Sequence, residues 1–493
     1  EDMILDRRLE EYIQKFNNED EEVYKQEIDN EHALGWLKDN VPLFECPDPV
    51  IEEIYYFRWW TYRKHIKKIP EGYLITEFLP EVPWSGKYNS INCAAGFHIR
   101  EGRWLRNGQQ IMEDTIRFWL QGSGDIRSYS TWIADALWDY CCVLDDYSLG
   151  TELLDSLTDN FEGWIKEHGT ETGLFWSIDD RDAMEFSISG SGFRPTLNSY
   201  LYADARAISQ FAEKAGRKSL AEEYAERAEN IKKQMQKTLW SGDFFQVIPA
   251  EIDPKPGRFL NCKTLDFEKI PMEHNVRELI GYIPWYFNLP DPGYEKAFAY
   301  LMDEKHFLGK YGFCTADQAH PRYKYEVPHE CLWNGPVWPF ATSQALVAMA
   351  NLLRNYHQEI VTEKDYHRAL KIYAESQHRI TESGKKIPWI DEDSDPETGE
   401  WISREILKKD GWKAEKGGYE RGKDYNHSMY CDLIITGLLG LDPQQISLAV
   451  KPMIPPEWDY VLLEGVRVGK KEYTVLYDRD GTRYGKGKGL MIY

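Results

Sequence analysis

Two short runs of carboxylates carry the residue types for acid–base chemistry. The first, WSIDDRDAMEFSISGSGFRP, holds Asp179, Asp180, Asp182 and Glu185 among aromatic side chains. The second, PWIDEDSDPETGEW, holds Asp391, Glu392, Asp393, Asp395 and Glu397. Both read as loops between helices, where catalytic groups tend to lie. Acidic loop residues are ordinarily just solvated. The Trp or Phe beside each run changes that, because apolar neighbours raise a carboxyl pKa. One carboxyl kept protonated and another kept ionised make the acid and base that glycosidic-bond hydrolysis needs.

The same residues admit a calcium reading. Asp391, Asp393 and Asp395 have the spacing that opens an EF-hand loop. The loop's sixth position is Pro396, where glycine is needed, and its twelfth is Ile402, where a bidentate Glu is needed. No metal is expected there. His329 and His427 stand alone in the sequence and are not read as metal ligands; His329 with Glu330 reads as a substrate contact. There is no GxxxxGK[ST] phosphate loop and no HExxH helix, and SGSG at 189–192 reads as a flexible loop. No cofactor is expected.

A third stretch, WNGPVWPF at 333–340, sets Trp333 and Trp338 just ahead of the apolar run ATSQALVAMANLL. Flat aromatic faces with a polar handle suit sugar rings as well as cores. The chain as a whole is rich in them, with 18 Trp, 31 Tyr and 20 Phe. Its net charge of −23 repels phosphate backbones, which excludes nucleic acid and anionic membrane as partners. No run of 18 apolar residues spans a bilayer. The eight Cys include no CxxC pair and read as buried free thiols. The chain begins at Glu1 without Met, so the expectation is a removed export signal, with a periplasmic or extracellular location, or otherwise a cytoplasmic one.

Helices must position these loops. Residues 1–45 read as a helical N-terminal extension. PDPVIEEIYYFRWWTYRKHIKK reads as one helix of about six turns, and SYSTWIADALWDYCCVL puts Ile133, Leu137 and Tyr140 on one face. SLAEEYAERAENIKKQMQKTLW repeats Leu220, Tyr224, Ala228, Ile231 and Met235 along one stripe, whereas FATSQALVAMANLL is apolar nearly all round. Helices buried on all sides that alternate with one-striped helices imply two concentric rings over 46–440. From 441 to 493 the pattern changes to period two. QISLAVKPMIPPEW and YVLLEGVRVGKKEYTVLYDRDGTRYGKGKGLMIY read as a small β segment, with Asp480-Gly481 as a hairpin turn.

LWNGPVWPF resembles the Trp-x-Gly-Pro-x-Trp signature of the six-hairpin (α/α)6-barrel glycoside hydrolases, the clan of trehalases, processing α-glucosidases and mannosylglycerate hydrolases. LNSYLYADARAI resembles the Leu-Asn-Ala helix of that clan, and EDSDPETG resembles its Glu-Asn-Tyr-Asn-Pro-x-Thr-Gly segment. GFHIREGRWLRN and KDYNHSMYCDLIITGLL are similar to stretches of bacterial relatives. The resemblance implies an (α/α)6 toroid, a carbohydrate substrate and an inverting, exo-acting hydrolase. It puts the general acid at Asp182, with Asp180 and Glu185 as rivals, and the general base at Glu392. It implies substrate contacts from Trp333, Asn334, Gly335, Trp338, Glu330, Asn198 and Trp84. The chain departs from the pattern at Asn334, where Arg is usual, at the missing Gly before the acid, and at Asp393-Ser394, where Asn-Tyr is usual. Two other functions fit a helical toroid with an aromatic groove: a polysaccharide lyase and a noncatalytic glycan-binding protein. Neither a particular sugar nor an oligomeric state is assigned by the sequence.

Overall fold

The computed structural model describes residues 3–255, 257–443 and 448–493. The chain is mostly helical. Its long helices differ in how much of their surface they bury, as their patterns dictate. Pro195–Lys214 and Pro339–Asn355 are buried on nearly every face, and each starts with Pro in its first turn. Lys218–Gln234 buries only the stripe Ala221, Tyr224, Ala228 and Ile231. It packs antiparallel on Pro195–Lys214 after a tight connection through Gly216.

Contacts between the buried segments run in sequence. Ala95–Gly102 packs on Ile133–Leu144, and that helix packs on Pro195–Lys214. Pro195–Lys214 packs on Ile283–Tyr286, which packs on Pro339–Asn355, which packs on Leu433–Leu438. Ion pairs close the circuit, because Asp432 sits between Arg100 (3.1 Å) and Arg103 (2.8 Å) from the first helix and its C-terminal end. One close approach along this circuit needs a missing side chain. A Cβ on Gly96 would stand 2.2 Å from Cε2 of the fully buried Trp132.

The two chain ends share one sheet. Tyr460–Val468, Lys471–Asp478 and Gly489–Ile492 pair antiparallel, and Leu43–Glu45 adds to the free edge of Tyr460–Val468. The N-terminal segment, with helices Asp6–Glu19 and Asn30–Asn40, packs on the helix Pro49–Lys64 and is also tied, through Leu43–Glu45, to the C-terminal strands.

Three sequence expectations shift. The helix that begins at Pro49 ends at Lys64, and Ile66–Ile69 becomes a strand paired with Gly72–Ile75. Its β-branched isoleucines prefer the pleated pairing once a partner is present. The two-residue turn between the long C-terminal strands is Gly469-Lys470, with Gly469 at φ 63°. Asp480-Gly481 instead opens the longer connection to Gly489–Ile492. Of the stretch QISLAV, Gln445, Ile446 and Ser447 lie outside the described residues, while Ala449–Val450 pairs with Leu441–Asp442. All eight Cys are free thiols. Among the described residues no helix is long and apolar enough to cross a membrane.

Gly96→Ala is expected to destabilise the fold by about 1–3 kcal/mol through overpacking against Trp132. A urea transition with a lowered midpoint and an unchanged slope would show this.

Candidate active site

The first acidic loop hangs from a small sheet in which Trp176–Ser177 pairs with Gly192–Phe193, itself paired with Ile248–Pro249. Between these strands a short turn spans Asp179–Asp182. Asp182 is fully buried there. Its Oδ2 accepts from Arg194 Nε at 2.6 Å and Thr196 Oγ1 at 2.5 Å, and its Oδ1 accepts from Ser130 Oγ at 2.6 Å. Arg194 Nη1 also donates to the Gly190 carbonyl at 2.6 Å. Asp182 thus anchors the loop, and it does not line the cavity beyond. The sequence expectation puts the proton donor here; in the structure both oxygens are committed to protein donors.

Past this anchor the backbone turns through two non-glycine residues in the left-handed region, Ala183 (φ 61°) and Phe186 (φ 60°). Strained residues of this kind persist only where surroundings hold them, and they gather at functional sites. Glu185 lies between them. Its backbone carbonyl accepts from Trp333 N at 3.0 Å, and it lines a cavity of about 440 Å³. That volume is in the usual range for small-molecule sites, roughly 300–1,000 Å³. Burial pushes the Glu185 carboxyl up to about 8, and the nearby negative charges of Asp180 and Glu392 add to the effect.

Glu392 lines the same cavity from the second acidic loop. A backbone bridge places it. Val337 N donates to the Ser394 carbonyl at 2.8 Å and Ser394 N donates back at 2.9 Å, so this loop is stitched to the WNGPVW segment. Glu392 Oε2 accepts from Arg421 Nη2 at 2.6 Å. Arg421 Nη1 reaches Glu330 Oε1 at 2.9 Å, and Lys416 Nζ lies 3.2 Å from Glu330 Oε2. Burial alone would raise the Glu330 carboxyl, but its hydrogen bond and ion pair with Arg421 win and hold it at about 2.

The three aspartates of the EF-hand-like spacing diverge. Asp391 Oδ2 accepts from Trp389 Nε1 at 3.2 Å, Asp393 Oδ1 from the Ser403 amide at 3.1 Å, and Asp395 Oδ2 from Lys324 Nζ at 2.9 Å. Three carboxyls committed to separate partners do not converge on one ion.

The other sequence-nominated residues divide into two groups. Trp84, Glu330 and Trp338 line the cavity with Glu392. Trp338 is nonetheless buried. It stacks on Trp333 with ring centres 5.0 Å apart and donates from Nε1 to the Leu332 carbonyl at 2.8 Å. Trp84 is 39% exposed, with the Arg421 guanidinium 5.2 Å from its ring centre. Trp333, Asn334, Gly335 and Asn198, expected as sugar contacts, are not among the residues that line the cavity. Trp333 backs Trp338. Asn334 Nδ2 donates to the Tyr325 carbonyl at 2.9 Å. Gly335, at φ 151°, leaves room for the Tyr323 ring, which a Cβ would meet at 2.6 Å. Asn198 pairs both ways with the Phe175 backbone at 2.9 Å, pinning the acid loop's first strand to its helix.

Sequence reasoning missed Arg421 and the trio Glu77, Cys93 and His427. The stretch KDYNHSMY, which holds His427, carried a signal but no role. His427 Nε2 lies 2.8 Å from Glu77 Oε1, and Tyr425 OH donates to the same oxygen at 3.1 Å. Cys93 Sγ lies 3.4 Å from it and 3.6 Å from His427 Nε2. These ligand types could hold a divalent cation. The ring's other nitrogen fits that poorly. Metal on Nε2 moves the ring proton to Nδ1, and Nδ1 is buried with no partner among the described residues. Hydrogen bonding to Glu77 accounts for the trio as it stands.

Residues 87–428, more than half of the chain, match the family described as the mannosylglycerate hydrolase MGH1-like glycoside hydrolase domain. The chain belongs to this family. The likeness to the six-hairpin glycosidases read from LWNGPVWPF and EDSDPETG therefore holds at the level of family. A solved structure of a sialidase is 37% identical and superposes with a TM-score of 0.88 over 99% of this chain. The chain covers 43% of that protein, less than half its length. Two further structures share the fold. One is Streptomyces avermitilis α-L-rhamnosidase complexed with L-rhamnose, at TM-score 0.51 and 11% identity, over 92% of this chain and 37% of that one. The other is an uncharacterized conserved protein from Thermus thermophilus, at TM-score 0.51 and 10% identity, over 77% of this chain and 98% of that one.

The two acids of the first loop should respond to substitution in opposite ways. Asp182→Asn should cost about 3–5 kcal/mol of stability, because it leaves Arg194 buried without its counter-charge; chemical denaturation reads this directly. Glu185→Gln should do the reverse. The folded pKa near 8 exceeds the unfolded value, so the wild type loses stability as pH rises from the unfolded pKa to about 8. The variant's melting temperature should therefore exceed wild type at pH 8 and match it most closely at pH 4.

Proposed function

We propose that this domain is an inverting, exo-acting glycoside hydrolase in which Glu185 is the general acid and Glu392 the general base. The observation that carries this reading is one cavity holding both carboxyls from different loops. One is pushed up to about 8, and the other is ion-paired to Arg421. Glu185 then donates its proton to the leaving glycosidic oxygen. Glu392, through the oxygen that Arg421 leaves free, takes a proton from water on the opposite face of the ring. The circuit of six buried segments, each followed or preceded by an outer one, supports an (α/α)6 toroid with the cavity at the end where the inner helices start. Trp84 and Trp338 are the two indoles available to a sugar, and the substrate is a carbohydrate. Residues 1–45 and 441–493 together form a support built on the shared sheet, outside the 46–440 toroid.

For this mechanism the carboxyls stand roughly 6.5–9.5 Å apart, with room for a water, and the first-formed sugar has inverted configuration. NMR of the product within the first turnovers tests this, and retention would remove the mechanism. The rate should fall as pH rises through about 8, because Glu185 must be protonated to act. Glu185→Gln and Glu392→Gln should each cost roughly 10²–10⁴-fold in rate. Aryl glycosides with good leaving groups should restore much of the former and little of the latter. Ultraviolet-absorbing unsaturated products would mark a lyase instead, and binding without turnover would mark a glycan-binding protein.

Trp84→Ala should weaken sugar binding by about 1–3 kcal/mol, by analogy with base stacking on aromatics, and leave the melting temperature nearly unchanged. Trp338→Ala should instead lose about 3–5 kcal/mol of stability, as truncation of a buried Trp does. Calorimetric affinity and melting temperature, measured on both variants, separate the two roles.

A further inference from the structure

We propose that the cavity takes an uncharged terminal sugar and that Glu77 reads its hydroxyl groups, so that sialic and uronic acids are excluded. This rests on the glycosidase reading and adds the chemical class of the substrate to it.

Charge makes the first distinction. Six carboxyl groups line the cavity and only three permanent cations. Two of the cations, Arg421 and Lys416, are tied to Glu330 and Glu392 by contacts of 2.6–3.2 Å. That cluster of two acids and two bases is neutral in itself. Glu185 is protonated in its working form. What remains facing a ligand is Glu77, Asp180 and Glu415 against Arg181, with His329 and His427 set beside Glu330 and Glu77. Arg181 lies over the Tyr129 ring, 5.2 Å from its centre, in the same wall as Asp180. A sugar carboxylate placed here would meet surplus negative charge, and like charges brought together in a partly dry site cost several-fold to thousand-fold in affinity. Recognition of a carboxylate ordinarily uses a guanidinium with both nitrogens free for a two-pronged bond. Arg421 cannot offer that, since its Nη1 and Nη2 are occupied by Glu330 and Glu392.

Glu77 has the opposite property. It is buried in the wall, and its Oε1 takes up the neighbouring donors: Tyr425 OH, His427 Nε2 and the Cys93 thiol. No donor among the described residues reaches its Oε2. With Oε1 so occupied, Oε2 is the acceptor left open to a donor in the cavity. Sugar hydroxyls are donors, and a carboxylate can accept from two at once. Three neighbours clamp the other oxygen, so the acceptor is aimed before the ligand arrives.

Matched pairs of free sugars test the charge preference without turnover. Glucose against glucuronic acid, and mannose against mannuronic acid, differ only at C6. Calorimetry on the wild-type protein should favour at least one neutral member over its acid by about 10²-fold, with N-acetylneuraminic acid bound no better than the uronic acids. Equal or tighter binding of an acid overturns the proposal, as does failure of every neutral sugar to bind at millimolar concentration. Loss of acid binding in Arg181→Gln would name the carboxylate receptor in that case. Glu77→Gln should lower kcat/KM on a neutral aryl glycoside by about 10–10²-fold, the worth of a charge-assisted hydrogen bond. A deoxy substrate lacking the hydroxyl that Glu77 reads should lose as much with the wild type, and the two losses should not add. Additive losses for every deoxy position overturn the role of Glu77. If no aryl glycoside is hydrolysed at all, the hydrolase reading fails, while the matched-pair calorimetry still decides the charge preference.

Discussion

A guanidinium that is fully buried must have its charge answered nearby, and Arg194 is answered by Asp182. Much of the Glu185 side of the cavity depends on this pair. Arg194 is the last residue before the Pro195–Lys214 helix, so the pair ties the loop to the start of a helix buried on nearly every face. Ser130, Ser177 and Thr196 complete the bonds to the carboxylate and bring in the approach to the Ile133–Leu144 helix. With Asp182 held this way, the chain can pass through Ala183 in a conformation it would not otherwise choose. The result is that Glu185, and not Asp182, reaches the cavity.

The Glu392 side of the cavity is built on a different arrangement of charge. One guanidinium, Arg421, serves two carboxylates and rests near the face of Trp84. An Arg suits this task because its fork can address two partners in one plane. Its consequence is spatial. Glu330, Glu392 and Trp84 come from three distant parts of the chain, and Arg421 draws them to one wall. The backbone bridge between Val337 and Ser394 does the same for Trp338 and Glu392.

The eight-residue run WNGPVWPF shows how few of its members need to touch a ligand. Trp338 lines the cavity, Trp333 stacks on it, and Asn334 and Gly335 shape the backbone that leads there. Gly335 is a backbone requirement and not a recognition one, since any side chain would collide with Tyr323. A motif of this kind is a packing solution that holds a surface in place, and only part of it is that surface.

The sequence by itself determined the mostly helical class, the contrast between all-round apolar helices and one-striped ones, the late change to period two, and the two acidic loops. These are local properties: periodicity, turn residues and composition survive in any short window. It also put Glu392, Trp84, Trp338 and Glu330 among the candidates, through motif and residue type. Tertiary structure decided that Asp180 and Glu185 of the first loop line the cavity and Asp182 does not. Asp182 and Glu185 are three residues apart and alike in chemistry, so local pattern cannot separate them. Arg194, twelve residues on and across a sheet, makes the choice. It likewise decided that Arg421, Glu77, Cys93 and His427 belong to the site, because a charge is assigned its partner by distance in space, and hundreds of residues of chain separate Glu77 from His427. Burial, strand pairing across the two chain ends and the raised carboxyl of Glu185 arise only when the chain is closed upon itself, for they depend on which atoms exclude water from which.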